Sequence, residues 1–224
     1  MTSGQTLWRR RPIAGVPGAL RTGLRLSRTL KVGLYGGSFD PPHEGHRHVA
    51  EQARRRLGLD RVIWLVTPGN PLKATGETGR LAERSALARR MALGPSSIVS
   101  DIEGRIGSRY TIDTVRWLKS RFPQVRFVWI MGADSLASFH LWKGWTDLVA
   151  EIPIAVVSRP SAALRARFSP MARRFASSRL PLARVGALAA TQPPAWIYIP
   201  APFKSVSSTA IRDWRLKNLG FRAT

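Results

Sequence analysis

Gly36-Gly37-Ser38-Phe39-Asp40-Pro41-Pro42-His43-Glu44-Gly45-His46-Arg47-His48 follows a short strand-like run, Lys31 to Tyr35, and leads into a helical pattern from about Gly45 to Leu57. The order is strand, glycine pair, proline pair, helix. The glycines let the backbone turn tightly and come close to a ligand. Pro41 and Pro42 impose an extended path and suit a helix entry. A helix N-terminus offers unpaired N–H groups and the positive end of its dipole, which favours phosphate. His43 and His46, three apart at that entry, can face one ligand and donate to phosphate oxygens, the main requirement of phosphoryl-type transfer.

Other chemistries fail on spacing. A zinc-protease helix needs HExxH, but position 47 is arginine and the third histidine is His48. A P-loop needs GxxxxGK followed by Ser or Thr, and no such run exists. Gly33, Gly36 and Gly37 do not form GxGxxG.

Working outward, strand-like runs recur at Arg61 to Val66, Ile98 to Ser100, Arg126 to Met131, Pro153 to Val157 and Trp196 to Ile199. Helical patterns fall at Leu81 to Leu93, Ile112 to Ser120 and Ser207 to Asn218. Strands alternating with helices across short Gly- or Pro-marked turns predict a parallel α/β sheet covered on both faces. Residues 1–30 contain no acid but six arginines, and read as a basic, disordered N-terminal extension or a start assigned too far upstream. Residues 31–224 read as one domain. Between Glu151 and Asp213 there is again no acid, and Arg159 to Arg184 contribute seven arginines. That stretch is expected to be a helical or partly mobile excursion above the sheet.

Composition narrows the classes further. Cysteine is absent, which excludes disulfides, zinc–thiolate sites and cysteine nucleophiles. No apolar run approaches the ~20 residues of a membrane helix. A cytoplasmic location is expected. The net charge of +23 is compatible with phosphate neutralisation on nucleic acid, with a cleft for small anionic substrates, or with a solvated arginine-rich surface.

A second hydroxyl-rich helix entry, Ser205 to Trp214 (SVSSTAIRDW), places Ser207, Ser208 and Thr209 before Arg212. Such hydroxyls cap free N–H groups and also bind phosphate oxygens. Arg212 adds charged, forked donors one turn later. A plain N-cap followed by a solvated arginine fits the same residues.

GGSFDPPHEGH resembles the GGxFDPxHxGH signature of the nucleotidylyltransferase superfamily, and SSTAIR resembles its SSTxIR element. The resemblance implies a Rossmann-like fold and ATP bound at Gly36, Gly37, Ser38, Phe39, Gly45, Ser207, Ser208 and Thr209. His43, His46, Lys73 and Arg212 would then act on the phosphates. Mg²⁺ is implied as cofactor. No carboxylate cage is visible, so the ion is expected to be held mainly by ATP phosphates and water.

Further stretches resemble the bacterial nicotinate-mononucleotide adenylyltransferases in order: PGNPLK (68–73), SRYTIDT (108–114), GADSL (132–136), FHLWKGW (139–145) and SRP (158–160). That resemblance implies AMP transfer from ATP to nicotinate mononucleotide, giving deamido-NAD and pyrophosphate. Thr111 and its neighbouring backbone would receive the nicotinate carboxylate, Asp134 a ribose hydroxyl, and Arg159 the mononucleotide phosphate. Trp142 would stack on the pyridine ring, although an isolated Trp is more often core. Two departures stand out: Ser38 replaces the family's usual Thr, and where the family often shows PxxxPxK with a second Pro or His near the lysine, the run here is Asn70-Pro71-Leu72-Lys73. Nicotinamide mononucleotide and phosphopantetheine are alternative acceptors. A basic nucleic-acid-binding protein is the alternative of another class, although RNA-stacking aromatic motifs are missing.

Overall fold

The computed structural model describes residues 24–69, 80–92, 94–158 and 166–201. Six strands form one parallel sheet: β1 (Lys31–Gly37), β2 (Arg61–Val66), β3 (Ser97–Ser100), β4 (Arg126–Gly132), β5 (Ile154–Val157) and β6 (Trp196–Ile199). Their spatial order is β3-β2-β1-β4-β5-β6, the doubly wound Rossmann arrangement. The helices are α1 (Glu44–Leu57), α2 (Leu81–Met91), α3 (Ile102–Arg105), α4 (Thr111–Arg121), α5 (Ala133–Ser138), α6 (Trp145–Glu151) and α7 (Pro170–Arg174).

The strands sort their side chains with period two onto two cores. Phe127, Trp129 and Met131 of β4 join Val32, Leu34, Ile63, Leu65, Ile154 and Val156 on one face, where α4, α5 and α6 contribute Val115, Leu136 and Leu148. Val128 and Ile130 join Val62, Trp64, Val66, Ala155 and Val157 on the other, beneath Val49, Ala53 and Leu57 of α1 and Ala88 of α2. Both faces are buried, so the strands read as near-continuous apolar runs, as parallel sheets require. Gly58 closes α1 in the left-handed conformation (φ 60°), its N–H bonding to Arg54 O.

One boundary differs from the sequence expectation. Leu24 is buried in the first core with Leu26 and Leu30 packed against it, so the packed chain begins before Lys31. Thr29 N–H also donates to Gln124 O at 3.2 Å, tying this segment to the turn between α4 and β4. Residues 166–190 are largely helical, as expected, and firmly packed. Ser169 caps α7 by accepting from Ala172 N–H at 3.2 Å, and 3-10 turns run over Leu182–Ala190. Met171 anchors this stretch in one core, Leu188 and Ala189 in the other. Its arginines find rings: Arg179 lies 5.3 Å from the Trp196 centroid and Arg174 lies 5.8 Å from that of Trp145.

Candidate active site

Strand order reverses between β1 and β4, and the chain leaves these neighbours in opposite directions. That point, outside the carboxyl ends of the strands, is where open α/β sheets take their ligands. The loop carrying His43 and His46 leaves β1 there, and Asp134 opens α5 directly after β4.

His43 is the N-cap of α1, with extended backbone (φ −148°, ψ 169°). Its Nδ1 accepts from Gly45 N–H at 3.0 Å, while His46 Nδ1 accepts from His43 N–H at 3.2 Å. The two histidines thus form a reciprocal capping box, a role usually filled by Ser or Thr with Glu. A ring that accepts at Nδ1 carries its proton at Nε2. Both imidazoles are therefore neutral Nε2–H donors, and their rings lie 3.9 Å apart at 38°. His46 rests on the edge of Phe39 at 5.0 Å, and Phe39 packs on Tyr35 and Trp64.

The glycine pair works differently from the sequence reading. Gly36 and Gly37 remain in β1, and the left-handed residue of the turn is Phe39 (φ 47°). A Cβ on Gly36 would lie 2.5 Å from Cη2 of Trp129, and one on Gly37 would lie 3.1 Å from the Phe39 ring. The missing side chains make room for two aromatic rings that floor the corner. Phe39 is itself fully buried, so its ring supports His46 from below.

On the β4 side the side chains are aromatic. Trp142 is half-buried, edge-on to Trp129 at 6.1 Å and to Phe139 at 5.3 Å. Phe139 in turn meets Trp145 at 6.1 Å. Asp134 is exposed in the first turn of α5. Thr111 is the first residue of α4, whose N-cap Tyr110 makes no side-chain capping bond. Ser158, at the end of β5, accepts from the Tyr198 hydroxyl at 3.0 Å. Lys73, Arg159, Ser207, Ser208, Thr209 and Arg212 lie outside the described residues.

Sequence reasoning missed two buried charged residues. Arg84 of α2 is 2% exposed, and its guanidinium donates to Ser38 O (2.7 Å), Thr67 O (2.8 Å) and Pro68 O (3.2 Å). Burial lowers its pKa from the ordinary arginine value, while the Asp40 carboxylate opposes that shift. The sequence did hold a signal. Position 84 falls between Leu81 and Ala88 on the buried stripe of α2, where a solvated arginine does not belong.

Glu103 of α3 is the second, at 7% exposure. Burial raises its carboxyl to about 7, with hydrogen bonds to the Thr67 and Thr114 side chains acting the other way. The Thr114 hydroxyl lies 3.4 Å from Glu103 Oε1 and 2.9 Å from Ser108 Oγ. Ser108 N–H donates to Glu103 O at 2.9 Å, and Ser108 Oγ donates to Tyr110 O at 2.9 Å. This network shapes the loop that delivers Thr111. Among the described residues no group of three or more His, Cys, Asp or Glu side chains is placed to hold a metal ion, and no helix is long and apolar enough to cross a membrane.

The model of the cytidylyltransferase-like family matches residues 34–213. The "Probable nicotinate-nucleotide adenylyltransferase" of a Caulobacter species is 59% identical over 188 residues, covering 84% of this chain and 100% of that relative. A relative of the same name from Methylorubrum extorquens is 51% identical over 183 residues, covering 82% of this chain and 99% of its own length. Among solved structures, the Plasmodium falciparum nicotinic acid mononucleotide adenylyltransferase complexed with NaAD superposes with a TM-score of 0.60 at 16% identity. The match covers 82% of this chain and 83% of that one and speaks for the fold.

Proposed function

The chain belongs to the cytidylyltransferase-like family, and on that premise we propose that it transfers AMP from ATP to nicotinate mononucleotide, giving deamido-NAD and pyrophosphate. It is a nucleotidyltransferase of NAD biosynthesis, as its relatives at 51–59% identity are named. The observation that carries the mechanism is the reciprocal histidine cap at the reversal point of the sheet. It fixes two neutral N–H donors beside the first N–H groups of α1, a rigid site for phosphate oxygens.

The reaction is an in-line displacement. A phosphate oxygen of nicotinate mononucleotide forms a bond to the α-phosphorus of ATP, the bond to the β-bridging oxygen breaks, and pyrophosphate leaves. No covalent enzyme intermediate is required. His43 and His46 hold phosphate oxygens through Nε2–H, and Lys73 and Arg212 add positive charge. Gly36, Gly37, Ser38, Phe39 and Gly45 build the ATP corner, with Ser207, Ser208 and Thr209 as further phosphate ligands. Preorganised donors of this kind need no rearrangement as charge shifts toward the leaving group.

Trp142 offers a ring face for the pyridine, and the uncapped start of α4 at Thr111 suits the nicotinate carboxylate. Asp134 accepts from a ribose hydroxyl and Arg159 holds the mononucleotide phosphate. The described corner is rich in N–H donors, and among the described residues no carboxylate cluster is placed for a metal, which fits an Mg²⁺ ion carried by the ATP phosphates and water and not by a protein cage. When bound, the ion supplies charge neutralisation. Residues 31–224 act as one catalytic domain that recruits packing from Leu24 to Leu30, and the reaction is placed in the cytoplasm.

The test is pyrophosphate release from Mg-ATP with nicotinate mononucleotide, nicotinamide mononucleotide or phosphopantetheine, using wild type and His46→Ala. Release with the nicotinate form, lost in the variant, is the expected outcome. Release with another acceptor alone would leave the chemistry standing and remove the substrate assignment.

A further inference from the structure

The sheet ladder between β1 and β2 ends at one hydrogen bond, Thr67 N–H to Gly37 O at 3.1 Å. Beyond it the chains diverge, β1 toward α1 and β2 toward the loop that leads to Lys73. Diverging strands leave carbonyls unpaired, and buried carbonyls need a donor. One side chain satisfies three of them. Arg84 Nη1 donates to Ser38 O and Thr67 O, and Nη2 donates to Pro68 O.

Two consequences follow from this geometry. The clamp sets the spacing between the loop that carries the histidine cap and the start of the loop after β2, at Thr67 and Pro68. It also ties up carbonyl oxygens beside a site meant for phosphate, where a free C=O dipole would repel the ligand. A guanidinium is the group able to do this, because its planar fork reaches several acceptors at fixed angles, whereas an ammonium is a single point charge. Arg84 is almost fully buried, so it does not act as a ligand from the solvent side.

We propose that Arg84 is a positioning residue for the transfer reaction, clamping the loop after β1 to the loop after β2 at Thr67 and Pro68 so that the histidine cap meets the ATP phosphates in register. The proposal rests on the functional reading above. Its action is on the alignment of the reacting groups, so its loss falls mainly on kcat. A misplacement of about 1 Å at a reacting centre costs roughly 100-fold in rate.

The experiment compares wild type with Arg84→Lys in steady-state pyrophosphate release, varying Mg-ATP and nicotinate mononucleotide separately, well below each protein's Tm. The expected result is a folded variant with kcat reduced about 100-fold while both KM values stay close to wild type. A variant whose kcat per folded molecule stays within about twofold of wild type overturns the proposal, because a purely structural arginine would lower Tm alone. If Arg84→Lys shows no cooperative melt, the decision passes to Arg84→Gly in non-denaturing guanidinium chloride. Turnover recovered beyond that in equal sodium chloride supports the clamp, and no recovery overturns it. Wild-type turnover is measured in the same series, so a failed substrate assignment appears in the wild type and a failed clamp only in the variants.

Discussion

The two sides of the strand-order reversal use different physics. On the β1 side, polar groups are locked by other polar groups: two histidines cap one helix reciprocally, and Arg84 holds three carbonyls. On the β4 side the ordering is aromatic, with Trp142 edge-on to Trp129 and Phe139, and Phe139 edge-on to Trp145. The difference matches the proposed ligands. A polyphosphate demands fixed donors, whereas a pyridine ring needs a flat apolar surface. The β1 side should therefore govern rate and the β4 side affinity.

The largest effect expected from this division is at His46. His46→Ala removes a donor and half of the capping box together, and kcat should fall by about 10²–10³. If Trp142→Ala lowers kcat more than His46→Ala does, the division is wrong. Next comes the seam between the two sides, where Gly36 gives its space to Trp129. Gly36→Ala should destabilise the fold by about 1–3 kcal/mol through overpacking, read as a lower midpoint in urea. An unchanged midpoint would mean that Trp129 can step aside.

Glu103 sharpens the comparison, since it joins the loop after β2 to the loop that delivers Thr111. Its carboxyl is raised to about 7 from 4.5, so the native state favours the protonated acid. The stability this contributes is complete below about pH 4.5 and is lost as pH rises through about 7. Glu103→Gln keeps a neutral shape of the same size. Its stability relative to wild type should improve by on the order of 2 kcal/mol between pH 5 and pH 8. Parallel stability–pH curves for the two proteins would refute the buried acid. The smallest effect is at Trp142, where Trp142→Ala should raise KM for nicotinate mononucleotide about tenfold, the worth of one aromatic contact, and leave KM for ATP nearly unchanged.

The histidine-capped turn after β1 was legible because it depends on local chain order. Glycine, proline and histidine at those spacings dictate a strand, a turn and a capped helix whatever surrounds them. The strands were legible for a related reason: β2 and β6 ran where the apolar runs placed them, and β1 and β4 extended slightly further. What stayed hidden were the reasons behind individual residues. Gly36 and Gly37 looked like hinges, yet they make room for rings from Trp129 and Phe39. The ring of Phe39 is also the floor under His46, a support that its place in the chain did not announce. Leu24 lay in a stretch set aside as a tail, yet it packs in the core.

By itself the sequence determined the doubly covered parallel sheet, the family, and the histidine pair at the helix entry, because each depends on residues close together along the chain. Tertiary structure alone decided how charge is managed inside the protein. Arg84 meets Ser38 from 46 positions away, and Glu103 meets Thr114 across the turn between α3 and α4. Whether an arginine is a solvated surface cation or a buried clamp depends on which carbonyls the folded chain brings to it, and no local pattern records that.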